Sequence, residues 1–562
     1  MDVSKLPTHH PTPWDTTFEA MTLPEMFAET TARQPDRPLI HFMGRTYSYA
    51  DLYTQSVRFA AGLRERGIKR GDRVGLFLPN VPIYVSAYYG AMMAGAIVVN
   101  FSPLYSVEEL SQQVADSGAR LLVTVDAPEL YATAEKVLEA SALETLVVGR
   151  ISDMLAPLKG VAMRVFKRSQ IAAVSYSDTI LRWDDLQVRT GWGSWLAESS
   201  SETRPPATGD VALLQYTGGT TGTPKGAMLT HANLSINARQ VAGLNPFGDP
   251  ADEVFMGALP MFHVFANTAL LNHAVASGGS IAIVPRFEAK QVLQTIEKYG
   301  CTGFPGVPTM FQALLDHPDI GKTDLSTLKV CISGGAPLPA PLREKWEERT
   351  GVRIVEGYGL TESSGVVSAN PYDGLRKPGT IGQTVASTEI LLLDKEDPSV
   401  IAPDGEPGEL AIHGPQIMSG YWNRPEAAKD VFVEHQGKQW LRTGDVATVD
   451  EDGFLEIVDR IKDMIAVGGF KVFPSQVEDV LLENDAVKEA LVIGVPDDYR
   501  GEVPRAYATL NEGSDATAHG LADWLNARVG KHERVDEVVI RDELPKTMIG
   551  KLDRKALRAE VL

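Results

Sequence analysis

Cysteine is almost missing from this sequence, which has only Cys301 and Cys331 among its 562 residues. Two cysteines exclude a disulfide framework and a cysteine-rich metal site. They agree with a reducing, cytoplasmic environment. No Ser–His or Cys–His pair stands out, so we expect both cysteines to be core residues and not catalytic thiols.

Positive charge is also scarce. The 53 Lys and Arg residues are outnumbered by 73 Asp and Glu residues, which gives a formal net charge of −20. This excess disfavours non-specific capture of nucleic acid or anionic lipid, and we expect no nucleic-acid partner. Any polyanionic ligand must therefore be held by a few locally placed groups.

Apolar runs long enough to cross a membrane are absent as well. Residues 74–107 and 254–285 carry no charged side chain, but proline, asparagine or histidine interrupts both. The longest apolar core, residues 83–99, is shorter than the ~20 residues of a membrane-spanning helix. The polar, proline-broken start MDVSKLPTHHPTPW does not resemble a signal peptide, so we expect a cytoplasmic protein.

The chain is long enough for three to four domains at roughly 150 residues each. Helical and strand patterns alternate from residue 23 to about 205 and again after residue 210, whereas short β runs between turn residues dominate 379–459. We predict an α/β fold whose large N-terminal domain, 1–460, has two packed α/β sheet subdomains (about 1–205 and 206–378) and a β-rich subdomain (379–459). A small mobile α+β domain, 461–562, follows and is called the cap below. Residues 151–201 show weak periodicity and are predicted to be a surface insertion.

Glycine, threonine and one lysine are concentrated in YTGGTTGTPKG, residues 216–226. Glycine amides approach phosphate oxygens closely, and threonine hydroxyls and Lys225 add a donor set and a positive charge. The run is not a Walker A loop, because Pro224 precedes Lys225 and Gly226 follows it. It predicts a phosphate-binding loop after a strand; the alternative is a flexible surface turn.

A second polar run, EGYGLTES at residues 356–363, also follows a predicted strand. Open α/β sheets bind ligands at this edge. Tyr358 offers a face to a purine, Thr361 a hydroxyl to phosphate, and Glu362 a hard oxygen to Mg²⁺. The alternative is a helix start capped by Thr361 or Ser363, which leaves the Gly357–Tyr358–Gly359 sequence unexplained.

Six motifs in fixed order carry a family resemblance: YTGGTTGTPKG, LPMFH (259–263), EGYGLTES, RTGD (442–445), VDRIKDMIAVGGFKVFP (458–474) and LPKTMIGKLDR (544–554). From about Leu23 to its end, the chain resembles the adenylate-forming superfamily of acyl-CoA synthetases, and within it the bacterial long-chain fatty acid–CoA ligases. The resemblance implies that ATP and a carboxylate form an acyl-adenylate and pyrophosphate, and that the acyl group then passes to the CoA thiol. Mg²⁺, ATP and CoA are the implied cofactor and co-substrates.

The resemblance also implies roles for individual residues. The catalytic set is Lys551, Lys225, Thr361, Glu362 and His263, with Thr217 and Glu362 at the metal. His263 has a second interpretation, as a purely structural histidine. The implied ATP site comprises Thr217, Gly218, Gly219, Thr220, Thr221, Gly222, Lys225, Gly335, Glu356, Gly357, Tyr358, Gly359, Thr361, Asp445, Arg460 and Lys551.

Three further regions complete the implied site. Lys462 is the hinge about which the cap turns, and Gly468, Gly469 and Phe470 lie against the pantetheine arm of CoA. A long acyl chain needs small, uncharged side chains around it. The expected acyl pocket is Phe262, Val264, Phe265, Gly303, Phe304, Val307, Gly334 and Ala336.

Residues 155–168, LAPLKGVAMRVFKR, form a predicted amphipathic helix with basic residues on its polar face. Such a helix suits peripheral contact with a lipid headgroup layer at the inner face of the membrane, or simply packs on its own domain. The oligomeric state stays open, a homodimer included. Other open functions are ligation of a medium-chain, aryl or dicarboxylic acid, loading of an acyl carrier protein, and a non-catalytic binding homologue.

Overall fold

The computed structural model describes residues 7–190, 204–217, 224–468, 470–497, 499–547 and 550–562. The first eleven strands are β1 (Pro38–Phe42), β2 (Arg45–Ser48), β3 (Arg73–Leu76), β4 (Ile97–Asn100), β5 (Ala119–Val125), β6 (Thr145–Gly149), β7 (Ile180–Arg182), β8 (Val211–Thr217), β9 (Lys225–Thr230), β10 (Val254–Gly257) and β11 (Ser280–Ile283). They are followed by β12 (Gly303–Gly306), β13 (Val330–Gly334), β14 (Ile354–Tyr358), β15 (Ser368–Ala369), β16 (Gln383–Thr384), β17 (Glu389–Leu393), β18 (Gly408–His413), β19 (Phe432–His435), β20 (Lys438–Val449), β21 (Leu455–Arg460), β22 (Ile465–Val467), β23 (Phe470–Val472), β24 (Val487–Asp497), β25 (Gly501–Leu510) and β26 (Val538–Ile540).

The helices alternate with these strands. The first eight are α1 (Leu23–Arg33), α2 (Tyr49–Glu65), α3 (Pro82–Met93), α4 (Val107–Ser117), α5 (Pro128–Ala140), α6 (Ile151–Met154), α7 (Pro157–Phe166) and α8 (His231–Ala242). The others are α9 (Val264–Ala266), α10 (His273–Ser277), α11 (Ala289–Tyr299), α12 (Pro308–Leu315), α13 (Ala340–Thr350), α14 (Pro425–Val431), α15 (Pro474–Leu482), α16 (Ala518–Asn526) and α17 (Arg554–Val561). A π-helical segment, Asn267–Asn272, joins α9 to α10.

Local sequence signals explain where several helices begin. Ser48 accepts from the backbone N–H of Asp51, and the Asp51 carboxylate accepts from the N–H of Ser48, so a reciprocal capping box starts α2. Ser106 and Glu109 start α4 in the same way. α4 ends at Gly118, whose φ of 65° is a left-handed conformation that glycine adopts without strain.

A first sheet of seven strands has the order β7-β6-β5-β3-β4-β8-β9. It is parallel except for β9, which returns antiparallel to β8 and sets Thr217 opposite Lys225. Because β8 pairs with β4, the predicted boundary at 205/206 is wrong: the strands at 211–230 belong to the first sheet. Helix–strand alternation predicts strands well but does not say which sheet a strand joins.

The second sheet has nine strands in the order β16-β15-β14-β13-β12-β10-β11-β1-β2. Its N-terminal strands β1 and β2 form one edge through parallel pairing of β1 with β11, which the predicted subdomain limits also miss. The predicted β-rich subdomain is present as β17-β18-β20-β19, with β21 on β20. In the cap, β23-β22-β25-β24 and β26 form a separate sheet flanked by α15, α16 and α17.

The two α/β sheets share one large apolar core, which contains residues from α1 to β20. Within it, α3 is buried along its whole length. The hydroxyl of Tyr88 donates to Asn267 Oδ1 at 3.0 Å, and that of Tyr89 donates to Asn272 Oδ1 at 2.8 Å. These bonds join α3 of the first sheet to the π-helical segment of the second.

Residues 151–190 are more than the surface insertion that weak periodicity predicts. β7 forms the edge of the first sheet, and the Trp183 ring stacks on Phe59 with centroids 4.6 Å apart. Cys301 and Cys331 are free and buried, as expected for core residues. Among the described residues, no helix combines the length and apolarity needed to span a bilayer.

Candidate active site

A cavity of about 1880 Å³ lies where β8 and β14 end, between the two α/β sheets, the β-rich subdomain and the cap. The carboxyl ends of parallel strands are the usual ligand edge of such sheets. From the predicted ATP site the cavity is lined by Thr217, Lys225, Gly335, Glu356, Gly357, Tyr358, Gly359, Thr361, Asp445, Arg460 and Lys551. Gly218, Gly219, Thr220, Thr221 and Gly222 lie outside the described residues.

Tyr421, a residue that the sequence does not single out, contacts both Lys225 and Glu362. Lys225 Nζ lies 5.3 Å from the centroid of the Tyr421 ring. The Tyr421 hydroxyl donates to Glu362 Oε1 at 2.7 Å, and burial raises its pKa. Tyr421 thus positions a cation and a carboxylate in one corner; the only sequence signal is its place in GYWNRP, between glycine and proline.

Thr361 and Glu362 lie in a single 3₁₀ turn, Thr361–Ser363. The N–H of Leu360 donates to Ser363 Oγ at 3.0 Å, so Ser363 closes the turn, but no α-helix begins here as the alternative interpretation expects. The N–H of Met418 donates to the carbonyl of Glu362 at 2.8 Å. The turn therefore has a structural cap and also brings Thr361 and Glu362 to the cavity wall.

Asp445 is the most deeply placed carboxylate of the predicted nucleotide site, with its side chain 3% exposed. It faces Arg460 across β20 and β21, and Arg460 Nε donates to its Oδ1 at 2.9 Å. The Tyr358 hydroxyl donates to its Oδ2. A carboxylate oxygen accepts two bonds, so both oxygens keep capacity for ribose hydroxyl groups.

Lys551 reaches this cavity from the cap. An added Cβ at Gly335, whose φ is +84°, would come 2.6 Å from Lys551 Cε, so the lysine lies against bare backbone. The Thr309 hydroxyl donates to the carbonyl of Gly550 at 2.9 Å and ties the lysine loop to α12. Burial and the nearby charge of Arg460 lower the pKa of Lys551 to about 8.

His263 caps a helix and also lines the cavity. Its Nδ1 accepts from the N–H of Phe265 at 3.3 Å and so caps α9. It also lines the cavity, and burial, reinforced by the charge of Lys551, lowers its pKa to about 3. The imidazole is therefore neutral at physiological pH.

Glu356 and Gly359 shape the turn beneath the predicted purine position. The Glu356 carboxylate accepts from the N–H of Leu338 at 2.9 Å, and burial raises its pKa to about 7. A Cβ on Gly359 would come 1.9 Å from the carbonyl oxygen of Gly365. Glycine at 359 is thus required by close backbone approach.

An apolar chamber opens from the same cavity. Seven of the eight predicted acyl-pocket residues line it: Phe262, Val264, Phe265, Gly303, Val307, Gly334 and Ala336. Phe304 is the exception, because it is fully buried and packs on Phe311 with centroids 5.1 Å apart. Another part of the wall, which the sequence does not predict, is formed by Val241, Leu244, Val366, Ala369 and Tyr372.

The predicted hinge and CoA residues lie on the cap side. Lys462 is in a 3₁₀ turn, Ile461–Asp463, between β21 and β22, and it lines the cavity. The N–H of Gly468 donates to the carbonyl of Arg500 at 2.8 Å, in a hairpin whose described residues do not line the cavity. Gly469 lies outside the described residues, and Phe470 begins β23. Lys551, not this hairpin, faces the site here.

The residues at the phosphate corner fit a magnesium ion. No group of three or more His, Cys, Asp or Glu side chains among the described residues is arranged to hold a metal. Mg²⁺ in nucleotide sites is usually held by one or two protein groups together with substrate phosphates. Glu362, with Thr217 at the end of β8, matches that pattern.

One cavity between the two α/β sheets joins an apolar wall, the buried carboxylate of Asp445 with its partners Tyr358 and Arg460, and a lysine from a separate small domain. These features are those of an acid-activating, adenylate-forming enzyme. The chain belongs to the AMP-binding enzyme family, whose model matches residues 27–422. The model of the AMP-binding enzyme C-terminal domain matches residues 476–551. The family expected from the sequence is confirmed.

Known proteins are similar to this chain over nearly its full length. A long-chain-fatty-acid–CoA ligase of Bacillus subtilis is 37% identical over 543 residues, which cover 96% of this chain and 94% of that protein. A feruloyl-CoA synthase of Amycolatopsis is 34% identical over 525 residues, 93% and 96% of the two chains. ATP-bound MatB from Rhodopseudomonas palustris superposes with a TM-score of 0.80 at 27% identity, over 96% and 99% of the chains. The apo form of MatB gives 0.72.

Proposed function

We propose that the protein is a long-chain fatty acid–CoA ligase that forms AMP. A fatty carboxylate oxygen attacks the α-phosphorus of ATP, and the bond to pyrophosphate breaks. The CoA thiol sulfur then attacks the carbonyl carbon of the acyl-adenylate, and AMP leaves. The observation that carries this proposal is that one cavity contains both a largely apolar wall, built by the predicted acyl-pocket residues, and the Lys551–Asp445 cluster.

The chain's own groups act electrostatically. Lys551 is placed to stabilise charge that develops at the α-phosphate, and Lys225 to hold the outer phosphates. Asp445 and Arg460 hold the ribose, and Tyr358 offers its ring to the purine. When bound, Mg²⁺ would be held by Glu362 and Thr217 and would neutralise phosphate charge. No side-chain nucleophile is needed, which agrees with the buried thiols.

We further propose that the cap starts at Lys462 and turns there. No apolar cluster of the described residues contains side chains from both sides of Lys462. The present arrangement, with Lys551 in the cavity, suits adenylation. A turn about Lys462 would bring the Gly468–Phe470 hairpin to the site for thioester formation.

A second candidate is ligation of another carboxylic acid, because one relative in the family is a feruloyl-CoA synthase. Medium-chain and dicarboxylic acids, and an acyl carrier protein as acceptor, belong to the same alternative. The predicted acyl-pocket residues that line the cavity are apolar or glycine, and Glu253 and His273 are polar residues of the same cavity. An aryl or dicarboxylic acid gains specificity from a polar group placed at the acyl pocket itself. Long aliphatic acids are therefore the preferred substrates.

The deciding experiment measures pyrophosphate release with palmitate, octanoate, a hydroxycinnamate and a long dicarboxylate, each with and without CoA. We expect the highest kcat/KM for palmitate and a CoA thioester as product. A hydroxycinnamate preferred by more than about tenfold would overturn the substrate class. Adenylate formation without any CoA thioester would instead favour a carrier-protein acceptor.

We also propose that this enzyme works in the cytoplasm and touches the inner face of the membrane through α7. Leu158 and Phe166 are 86% and 84% exposed, and Val161 and Val165 are more than half exposed. Lys159, Lys167 and Arg168 surround them on a protein that is otherwise strongly acidic. This combination suits an anionic bilayer surface, which is also where fatty acids partition.

Co-sedimentation with phosphatidylglycerol vesicles tests this surface. The double variant L158S/F166S is expected to lose most vesicle binding while kcat for a short, water-soluble acid stays unchanged. The matched control is L375S, at another exposed leucine outside α7. Equal sedimentation of the wild type and the double variant would contradict membrane contact by α7.

A further inference from the structure

A second cavity, of about 290 Å³, lies at the carboxyl ends of β6 and β7 in the first sheet. It shares no lining residue with the active-site cavity. Parallel strands place ligands at this end of a sheet, and here the edge strand β7 and its neighbour β6 stop side by side. The volume suits a small molecule or a single headgroup.

Four arginines line this cavity and come from separate parts of the chain. Arg45 lies on β2 and Arg58 on α2, while Arg150 follows β6 and Arg182 ends β7. Two aspartates, Asp153 and Asp184, are the acidic lining residues. The pocket is therefore positively charged on a protein whose net charge is −20.

Most of these guanidinium groups form no ion pair with a carboxylate of the described residues. Among the described residues, their one ion pair is Arg150 with Asp153, at 3.9 Å. Arg45 donates to the backbone carbonyl of Asp153 at 2.7 Å. Elsewhere, by contrast, Arg120 makes two bonds of 2.8 Å to the two oxygens of Glu144. Tyr176 bonds the Arg150 guanidinium, and its ring centroid lies 4.7 Å from Arg182 Cζ. The N–H groups that remain fit a phosphate or carboxylate.

Two buried donors at this pocket lack an acceptor. Arg58 Nε and Gln187 Nε2 are shielded from solvent and make no hydrogen bond. Buried donors in folded proteins almost always have an acceptor. Two donors without one beside a cavity therefore indicate that a ligand with acceptor oxygens binds there. Gln55, one helical turn before Arg58, extends the same polar wall.

We propose that this pocket is a binding site for a phosphate monoester or inorganic phosphate. A dianion with several acceptor oxygens matches the excess of two arginines over aspartates and the two unpaired donors. The same group occurs on small organic phosphates and on phosphatidic acid. The lipid source is within reach because Arg164 of α7 bonds Ser152 at 3.0 Å and pairs with Asp153 at the pocket edge.

Calorimetric titration with inorganic phosphate tests the shared chemistry. We expect R58Q and R182Q each to weaken phosphate binding at least tenfold, with the KM for ATP unchanged. R528Q, at a cap arginine remote from this pocket, is the control and should bind like the wild type. Phosphate also binds the ATP site, but that site is identical in the wild type and the three variants. A difference in phosphate affinity between them therefore reports on the arginine pocket alone.

Vesicles separate the two sources. If the ligand is a lipid headgroup, vesicles with phosphatidic acid bind more tightly than vesicles of equal charge made with phosphatidylglycerol, and R58Q removes that preference. If it is a free phosphate, the two vesicles bind alike while the calorimetric difference remains. Wild-type affinity in both R58Q and R182Q, with native circular dichroism, overturns the site. This inference does not depend on which acid the enzyme activates.

Discussion

Two interfaces of this protein contrast sharply. Between the two α/β sheets, one continuous apolar core contains fully buried tyrosines that bond buried asparagines. Between the large domain and the cap, the contacts are polar and partly exposed: Lys488 with Asp316 at 3.1 Å, and Thr309 with the carbonyl of Gly550. The cap keeps its own apolar clusters.

The difference separates two tasks. A shared core with satisfied polar groups fixes the acyl chamber and the nucleotide corner relative to each other. Exposed ion pairs contribute only about 0–1 kcal/mol each. Separating the cap from the large domain therefore costs little free energy. The chain thus combines a firmly packed substrate-binding half with a cap whose weaker contacts are compatible with the proposed rotation.

The largest expected effect is at the point where the cap enters the site. Lys551→Ala should lower the adenylation rate at least about 10³-fold, since it removes a preorganised charge at the α-phosphate. Transfer from preformed acyl-adenylate to CoA should be largely spared, and stopped-flow measurement of both half-reactions checks this. Lys531→Ala, at an exposed cap lysine, is the control. Equal loss in both half-reactions would refute the assigned role.

Gly335→Ala should break the same contact from the other side. An added Cβ would come 2.6 Å from Lys551 Cε, on a backbone with φ +84°. Strain of this kind costs about 1–3 kcal/mol, so adenylation should fall roughly tenfold to hundredfold. CoA transfer should change much less, because Lys551 leaves the site in that step. A rate equal to the wild type in adenylation would mean that the lysine does not need this position.

The rigid interface is tested by Asn267→Leu. The substitution leaves the Tyr88 hydroxyl and Asn272 Nδ2 without their shared acceptor, and each unpaired group costs about 1–3 kcal/mol. We expect a lower midpoint of urea unfolding for the large domain. Lys488→Ala, which breaks an exposed pair at the cap, should leave that midpoint unchanged. A similar shift in both variants would remove the contrast between the interfaces.

The pH dependence gives a smaller and more graded effect. Burial and Arg460 lower the pKa of Lys551 to about 8, so the lysine is cationic below that pH and neutral above it. The kcat/KM for ATP in adenylation should therefore decline above pH 8, by up to about tenfold per unit. Transfer from acyl-adenylate should lack this decline. A flat adenylation profile to pH 9.5 would contradict a cationic role.

Short motifs predict much of the site, because phosphate binding, ribose binding and close backbone approach each demand particular residue types at short spacing. Residue chemistry predicts Thr361 and Glu362 on that basis, whereas Asp445, Arg460 and Lys551 are predicted through the family resemblance; all five line the cavity. The predictions that fail concern long-range contacts. The strand β8 pairs with the first sheet, and the Phe304 side chain lies in the core beside Phe311.

The arginine-lined pocket shows the same limit from the other direction. Arg45, Arg58, Arg150 and Arg182 are spread over nearly 140 residues of sequence and form no local pattern. The packing of α2 against the 3₁₀ turn that follows β7, Trp183–Leu186, brings them together. Tyr421, likewise, becomes informative only when its hydroxyl is seen to reach Glu362.

The independent apolar clusters of the cap have a consequence for how such an enzyme diversifies. Because no apolar cluster among the described residues crosses Lys462, substitutions that remodel the cap surface leave the walls of the acyl chamber in place. Under the proposed function, the residues that receive the thiol and those that line the acyl chamber lie in two domains with separate apolar clusters. Each domain can therefore accumulate substitutions without disturbing the packing of the other.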